Sequence, residues 1–587
     1  MTVLESVKKH LKFDCQKFVK KRVPITSWFP QYTLSLLFQD LLAGITVGMT
    51  EIPQGIAYAI VAGLPPEFGL YSGLIDGFIY AIFGGCKDLN IGPTSILSLM
   101  LQPHVTRMGP DASILMTFLS GIIIFLLGVM HLGFVIQFFS YPIIAGFMCG
   151  GSLQIASGQL KSLFGIPGKS DNFLESWKSV FANINQIRKW DTVLGVTSIA
   201  ALIALREIRV FGSLQNREDW SKRRNFFGKI VFLVSLARNA LILVIGTVIS
   251  YCLYEEAPFK ITGNVTGGFP AFQVPPFSTT FNGTNYDFED LAKGYGISFV
   301  FIPLLSILEA VTIAKAFYKG RQLDATQEML ALGLCNIVGS FVGSMPVTGS
   351  FTRSAVNNAS GVRTTLAGVF TSLLLFLAIA FLTPTFYYVP KATLGSIIIC
   401  AMFYLFDFEA FVLLWRTKKL DLIPFLTTFI CCLFLGVDYG ILIGAAVNLL
   451  FVLYASARPK FNIEKEKISS DQTEVYIITP KDTLYFPAAE YLRDTVLEFE
   501  GGDVTVIING KYIRNMDITV AKSMSVLTHE LTLKNHKVYF LDFKQSVVNI
   551  CIGVDKKLKD HFLSEESYKS IIKDQSDLIV TSEISQL

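Results

Sequence analysis

Charged side chains stand inside apolar segments of this sequence, where a functional role is the first explanation to consider. Glu51 lies in the first apolar segment, Glu309 in a later one, and Arg353 follows Gly349 by four residues. A charge at the centre of a bilayer costs roughly 3 kcal/mol or more, so it must be paired, reach the interface or face water. We predict a proton-coupling or gating role for Glu309, with a static salt bridge to Arg353 as the alternative. We predict the same role for Glu51, which precedes Pro53, with a position facing a water-filled vestibule as the alternative. For Arg353 we expect an anion ligand, or else a structural arginine satisfied by carbonyls or a carboxylate.

Two short segments that open with glycine beside small polar residues indicate where such an anion would bind. They read Ile91-Gly-Pro-Thr-Ser95 and Thr348-Gly-Ser-Phe-Thr-Arg353. Each is the third apolar segment of its half of the chain, and paired short segments of this kind are the best sequence indicator of a transporter binding site. The alternative is a pair of ordinary helices. A half-helix that begins inside the membrane directs unpaired N–H groups and about half a positive charge into a cavity.

Small hydroxyl side chains fall at matching places in both segments. They are Thr94, Ser95, Ser350 and Thr352. In the first apolar segment Gln54 and Tyr58 lie one turn apart and are expected to line the same cavity, with core packing the alternative for Tyr58. Two half-helix termini and one arginine supply roughly +2, which would balance a dianion, whereas an ionised Glu309 would leave roughly +1. External acid is therefore expected to favour uptake of a dianion through Glu309.

The elements that must hold these residues are membrane-spanning helices. Of the 587 residues, 51% are hydrophobic and only 16% are charged, against about a quarter charged in soluble proteins. Apolar runs of the length that crosses about 30 Å of hydrocarbon recur between residues 39 and 457. We count about fourteen such runs, seven in each half of the chain. An odd number of spans in the first half gives the second half the opposite orientation across the membrane, so the two halves form an inverted repeat.

Charges outside these runs predict the orientation. The basic residues of segment 1–22 indicate a cytosolic N-terminus with no cleavable signal peptide, and the predicted C-terminus is cytosolic as well. Segment 255–291 then lies outside and carries two sequons, at Asn264 and Asn282, where we predict glycosylation. Loop 161–190 disagrees, because it is basic although the count places it outside.

Beyond residue 458 the composition becomes that of a soluble domain with alternating strands and helices. It has no phosphate-binding loop, dinucleotide fingerprint or nucleophile elbow, so we predict no enzyme activity. Cysteines and histidines show no ligand spacing, so neither a metal nor another cofactor is expected, and a net charge of +4 predicts no nucleic-acid partner. The predicted domains are a cytosolic region 1–37, a transmembrane transport domain 38–458, an α/β domain 459–575 and a tail 576–587.

Several longer motifs resemble those of one family, the sulfate permease (SulP, solute carrier family 26) anion transporters. They are Pro53-Gln-Gly-Ile-Ala-Tyr-Ala59, Ala62-Gly-Leu-Pro-Pro-Glu-Phe-Gly-Leu-Tyr-Ser72, Ile91-Gly-Pro-Thr-Ser95, the run from Gln327 to Ser340, and Pro346-Val-Thr-Gly-Ser-Phe351. The C-terminal domain is similar to a STAS domain, with Asp517-Ile-Thr519 at a loop-to-helix turn. The likeness extends from about residue 25 to about residue 575.

The resemblance implies a seven-plus-seven inverted repeat divided into core and gate domains, elevator-type motion, and homodimers formed through the STAS and membrane domains. It places Gln54, Tyr58, Thr94, Phe351, Thr352 and Arg353 around the anion. Sulfate is the expected substrate, with chloride, bicarbonate or oxalate as counter-ions or proton coupling instead, in the plasma or lysosomal membrane and in contact with its lipid. The alternatives are an uncoupled chloride channel, a nucleobase transporter and a non-transporting sensor or scaffold acting through the STAS domain.

Overall fold

The computed structural model describes residues 20–133, 140–167, 173–213, 231, 234–256, 258–263, 268–317, 323–467, 474–498, 504–534 and 536–563. The predicted tail 576–587 lies outside this set. The chain divides into two compact units, Met1–Ala445 and Ala446–Leu587, and each is described by itself.

The first half of the membrane unit is helical apart from one short strand. After the turn α1 (Ile25–Trp28), its elements in chain order are α2 (Leu34–Val61), α3 (Pro66–Tyr71), α4 (Asp76–Phe83), β1 (Ile91–Gly92), α5 (Ser95–Met108), α6 (Pro110–Val129), α7 (Tyr141–Gly158), α8 (Leu160–Phe164), α9 (Phe173–Ala182), α10 (Lys189–Ser213) and α11 (Arg238–Cys252). A hairpin of β2 (Thr279–Phe281) and β3 (Thr284–Tyr286) follows in the predicted outer loop.

The second half repeats this order. It comprises α12 (Phe288–Tyr295), α13 (Ser298–Phe317), α14 (Ala325–Ser340), β4 (Thr348–Gly349), α15 (Phe351–Ala359), α16 (Ala367–Leu377), α17 (Thr383–Phe386), α18 (Lys391–Leu405), α19 (Phe408–Thr417), α20 (Leu422–Phe434) and α21 (Val437–Ala457), the last of which runs into the second unit. A two-residue strand followed by a short helix thus occupies the corresponding place in each half.

Described helices fall within each of the predicted apolar segments. Six helical stretches of the described chain are long and apolar enough to cross a membrane by themselves, so the protein spans a bilayer several times. Two predicted spans are interrupted. One of them, the apolar run over residues 67–85, breaks between Tyr71 and Asp76. The other, the apolar run over residues 391–415, breaks at Asp407, whose carboxylate caps α19 by accepting from the Ala410 N–H.

Close helix packing brings the first spans together. At Gly69 in α3 an added methyl group would overlap the backbone carbonyl of Gly55 in α2, so only glycine permits this approach. Helix α2 itself is 28 residues long and contains Pro53, which removes one backbone hydrogen bond in its interior. The largest buried cluster of the unit surrounds this region and extends to α5, α13 and α14.

The C-terminal unit is an α/β domain, as its sequence predicts. Its strands are β5 (Phe461–Lys467), β6 (Glu474–Pro480), β7 (Val504–Asn509), β8 (Lys537–Leu541) and β9 (Phe562–Leu563), and its helices are α22 (Ala489–Leu497), α23 (Ile518–Leu533) and α24 (Gln545–Val554). The strand order is β5-β6-β7-β8-β9, with β5 antiparallel to β6 and the others parallel. Asp517 is the N-cap of α23, where its carboxylate accepts from the Val520 N–H.

Candidate functional site

The two short strands pair with each other in the middle of the membrane unit. β1 and β4 are antiparallel, with Ile91 opposite Gly349 and Gly92 opposite Thr348. Because the strands run antiparallel, α5 and α15 leave the pair at its two ends. Each strand has only two residues, so the two helix N-termini still begin close to each other. This geometry turns two distant sequence segments into one site.

Side chains from neighbouring helices fix the second strand. The Thr348 hydroxyl donates to the Ser306 carbonyl of α13 (2.6 Å). The Asn336 amide of α14 donates to the Val347 carbonyl (3.1 Å) and accepts from the Val347 N–H (3.0 Å). Asn336 is fully buried, so this amide replaces the backbone partners that a wider sheet would supply.

Both helix N-termini at this point lack a side-chain cap. Thr94 and Ser350 are the N-cap residues of α5 and α15, and among the described residues neither caps its own helix through its side chain. The Thr94 hydroxyl instead donates to Oε2 of Glu309 (3.4 Å), and the Ser350 and Thr352 hydroxyls are 3.2 Å apart. The first-turn N–H groups are thus left available, which is the arrangement that binds anions at helix termini.

The predicted residues of α2 lie beside this point. Glu51, Gln54 and Tyr58 follow one face of the helix, and all three are buried. Tyr58 adjoins Ser95, the first residue of α5. In the described part of the chain, no donor reaches the buried Oε1 of Gln54. Tyr58, Ser95 and Thr94 therefore lie together, and Gln54 is one turn from Tyr58 on the same face of α2.

Residues of α15 close the other side. Phe351 is 46% exposed, and its ring lies 5.7 Å from that of Phe317 in α13. Thr352 and Glu309 are half-buried. These three side chains are therefore the more accessible part of the predicted site.

Arg353 is buried, and so it does not have the exposed position expected of a side chain that binds the anion directly. Its side chain is 0% exposed. Nε donates to Oδ1 of Asn90 (2.6 Å) and Nη1 donates to the Pro93 carbonyl (2.9 Å). The carboxylate nearest to it is that of Glu51, whose Oε2 lies 3.9 Å from Nε. The guanidinium therefore ties α15 to the segment before α5, and the ion pair joins it to α2.

The two predicted glycosylation sites have different outcomes. Asn264 lies outside the described residues. Asn282 is exposed at the tip of the β2–β3 hairpin, where Asn282 and Gly283 both adopt positive φ (53° and 80°), as a two-residue turn requires.

Sequence reasoning missed Asn90, Asn336 and Asp76. Asn90 directly precedes the Ile91-Gly-Pro-Thr-Ser95 motif, so its position was the available signal. Asp76 stands at the start of a broken helix and carries no local signal of its own. The charged groups near it, Glu51 and Arg353, lie on other helices, and only the fold brings them close.

Two helix N-termini joined by a strand pair inside a bundle of apolar helices are an arrangement that membrane transporters use to bind their substrates. The chain belongs to the sulfate permease family, whose model matches residues 37–430. It is a multi-pass membrane transporter and not an enzyme.

Curated relatives cover almost the whole chain. The bovine sodium-independent sulfate anion transporter is 35% identical over 565 residues, which is 95% of this chain and 92% of the relative. This agrees with the likeness to such transporters predicted from segments 309–317 and 346–353. The Arabidopsis thaliana chloroplastic sulfate transporter 4.1 is 30% identical over 91% of this chain and 78% of its own length.

Solved structures share the fold at lower sequence identity. The murine solute carrier 26 family member A9 anion transporter, in its inward-facing state, matches with a TM-score of 0.81 and 21% identity over 94% of each chain. The transmembrane domain of the cyanobacterial bicarbonate transporter BicA matches with a TM-score of 0.55 and 19% identity, over 71% of this chain and 98% of that one.

Proposed function

We propose that this protein moves sulfate across a membrane as a secondary anion transporter, with the anion held between the N-termini of α5 and α15. The observation that carries the proposal is the antiparallel β1–β4 pair, which brings two uncapped helix termini to one point. Sulfate is the substrate that the names of the bovine and plant relatives share.

The side chains have separate roles in this proposal. First-turn N–H groups of both helices and the hydroxyls of Ser95 and Thr352 bind the anion oxygens, Gln54 and Tyr58 line the wall, and Phe351 covers the opening. Arg353 acts on the anion through its charge, since its fully buried guanidinium is committed to Asn90 and Pro93. Two termini supply about +1, and Glu51 offsets part of the arginine charge.

Glu309 is the group that we propose for proton coupling from the outside. Its carboxylate accepts from Thr94 at the N-terminus of α5, so an added proton removes one negative charge beside the anion. External acid is expected to raise sulfate uptake in the wild type. In Glu309→Gln, uptake should be independent of external pH while transport persists. A Glu309→Gln protein with the wild-type pH profile would contradict this role.

Radiolabelled sulfate flux into proteoliposomes, with and without internal chloride and a pH step, tests the function itself. Exchange predicts uptake that needs an internal counter-ion such as chloride, bicarbonate or oxalate. Proton symport predicts uptake driven by the pH step alone. Current with a chloride reversal potential and no sulfate flux would favour an uncoupled chloride channel. Absence of any anion flux, with the C-terminal unit still binding partners, would favour a sensor or scaffold.

The wider organisation belongs to the same proposal. It comprises fourteen spans in an inverted repeat, an elevator-type motion of a core domain against a gate domain, and homodimers formed through the membrane domain and a C-terminal STAS domain. Both termini are cytosolic, and the membrane is the plasma membrane or that of the lysosome. Crosslinking of two differently tagged copies in the membrane tests the dimer.

A further inference from the structure

Two buried carboxylates lie beside Arg353 and play no part in the proposed anion contacts. Glu51 in α2 and Asp76 at the start of α4 are 1% and 0% exposed. None of their four carboxylate oxygens accepts a well-formed hydrogen bond from a described residue, although the Asn90 side chain approaches Glu51. Glu51 lies 3.9 Å from Arg353, and Asp76 is close enough for its charge to interact with both. Burying an ionised carboxylate without donors costs several kcal/mol, so these groups need a compensating positive charge.

Another acidic residue of the same helix shows what a structural buried carboxylate looks like in this protein. Asp40 is also 0% exposed. It accepts hydrogen bonds from the hydroxyls of Tyr32 and Thr364 and from the N–H groups of Arg363 and Thr364. The contrast indicates that Asp76 does not serve as an anchor for the fold, and that Glu51 contributes to it only through its ion pair with Arg353.

The charge of the cluster does not balance. If both carboxylates are ionised, they and the Arg353 guanidinium carry a net charge of −1 in a buried environment. Nη2 of Arg353 has no hydrogen-bond partner among the described residues. Two carboxylates near each other in a dry site cannot both ionise cheaply. One proton brings the sum to zero. A methyl group at Gly92 would overlap both the Glu51 carboxylate and the Arg353 guanidinium, so the site is too tight for a larger ion on that side.

A small cavity lies beside Glu51. Its lining includes Asn90, Asn357 and Lys87 as well as Glu51, and its interior has room for about one water molecule. The Lys87 side chain is 45% exposed and pairs with Asp88 (2.9 Å). Oδ1 of Asn357 is buried and, within the described chain, has no donor. If the spans are counted from a cytosolic N-terminus, Lys87 lies at the end of this cavity that faces the cytosol.

Several charged and titratable groups of the described chain lie around the pair. They are Arg353 of α15, Tyr80 of α4, Glu328 and Cys335 of α14, and Lys87 and Asp88 of the segment before β1. Glu309 of α13 interacts with Arg353 and Tyr58. Glu328 is satisfied by the Tyr80 hydroxyl (2.6 Å) and the Gly85 N–H (3.0 Å). Lys87 is engaged by Asp88 and by the Val362 carbonyl.

We propose that Glu51 and Asp76 share one proton, taken from the cytosol through this cavity, and that its presence decides which anion the site prefers. The inference rests on the proposed anion site. The proton adds one positive charge beside Arg353, directly behind the segment that leads into α5. Cytosolic acid therefore favours a dianion such as sulfate, and cytosolic alkali favours a monovalent anion such as chloride. The proton shared by Glu51 and Asp76 comes from the cytosol, whereas the proton that binds Glu309 comes from outside.

The test is the sulfate-to-chloride flux ratio in cells whose cytosolic pH is clamped while external pH stays constant. In the wild type the ratio rises as cytosolic pH falls, by up to about tenfold per pH unit for a single linked proton. Glu51→Gln and Asp76→Asn each leave a single carboxylate to pair with Arg353. Both variants should therefore show, at every cytosolic pH, the sulfate-to-chloride flux ratio that the wild type shows at acid pH. Glu309→Gln should keep the cytosolic response and lose the external one. Glu289→Gln, which neutralises an exposed carboxylate, should change neither.

A second measurement does not depend on transport. Infrared spectra of the purified full chain should show a protonated carboxyl band that disappears in Glu51→Gln or in Asp76→Asn. If the wild type carries no sulfate but the band behaves as expected, the proposed function fails and the shared proton stands. A wild-type cytosolic pH response in both variants would overturn the proposal. So would a sodium dependence of the flux that both variants lose, because the occupant would then be a metal cation.

Discussion

Replacement of Arg353 by lysine separates the two roles that the sequence left open for this residue. The guanidinium uses two different nitrogens, Nε toward Asn90 and Nη1 toward Pro93. A lysine keeps the positive charge but offers one nitrogen, which cannot occupy both places. The substitution therefore keeps the charge near the anion and loses the brace between α15 and the segment before α5.

The expected magnitude follows from these two contacts. A hydrogen bond from a charged donor contributes about 1.5–3 kcal/mol. An ammonium group retains at most one of the two, so Arg353→Lys should destabilise the membrane unit by about 1.5–3 kcal/mol. Because the same bonds hold α5 and α15 in place, sulfate flux should fall about tenfold or more.

Two assays measure this result on the full chain. Unfolding in mixed micelles gives the loss of stability, and initial rates of radiolabelled sulfate uptake give the loss of transport. Arg416→Lys is the matched control, since Arg416 is exposed in the last turn of α19 and a lysine there keeps the charge. Asn90→Ala combined with Arg353→Lys should cost less than the sum of the single changes by about 1–2 kcal/mol. Wild-type stability and flux in Arg353→Lys would refute the reasoning and leave charge alone as the requirement.

Three further predictions concern other parts of the molecule. Thr284→Val should reduce a glycosidase-sensitive shift in electrophoretic mobility by the size of one glycan, because it removes the sequon of Asn282 and leaves that of Asn264. Gly69→Ala should sharply lower the yield of folded protein, measured by size-exclusion chromatography, since its methyl group meets a backbone carbonyl that cannot move aside. Burial raises the pKa of the Cys551 thiol to about 11. Only roughly one such thiol in ten thousand is ionised at pH 7, so maleimide should label Cys551 after denaturation and not before.

Each of these has a control within the same chain. Thr280→Val alters the same hairpin outside the sequon and should keep the full shift. A shift of wild-type size in Thr284→Val would mean that Asn282 carries no glycan. Gly151→Ala adds a methyl group to a helical glycine with nothing within 4 Å, so it should be neutral or stabilising. Equal loss in both glycine variants would point to a general intolerance of substitution. Rapid labelling of Cys551 in the native protein would mean that the C-terminal unit opens at neutral pH.

The sequence by itself determined the features that depend on local pattern. Long apolar runs specify helices in a membrane, because each run must satisfy its own backbone hydrogen bonds in hydrocarbon. The glycine-led segments at 91–95 and 348–353 indicated half-helices, and the structure has a short strand followed by a helix at both places. In the C-terminal unit the alternation of strands and helices predicted the order from β6 to β8 correctly.

Contacts between distant residues required the tertiary structure. The pairing of Ile91 with Gly349, and of Arg353 with Asn90 and Glu51, joins residues more than 250 positions apart. The sequence offered both Glu51 and Glu309 as partners for Arg353. Which carboxylate meets the guanidinium depends on how α2, α13 and α15 pack, and hydrophobic patterns do not encode the rotation of one helix against another.

The same limit applies to Asp76, which looks like an ordinary helix start in the sequence. Its significance comes from two facts of packing, its full burial and its closeness to Glu51. A carboxylate acquires unusual protonation only when the fold removes its water without supplying donors. The local sequence therefore specified a membrane transporter with an anion site, whereas the packing of α2, α4 and α15 decided where its buried charges meet.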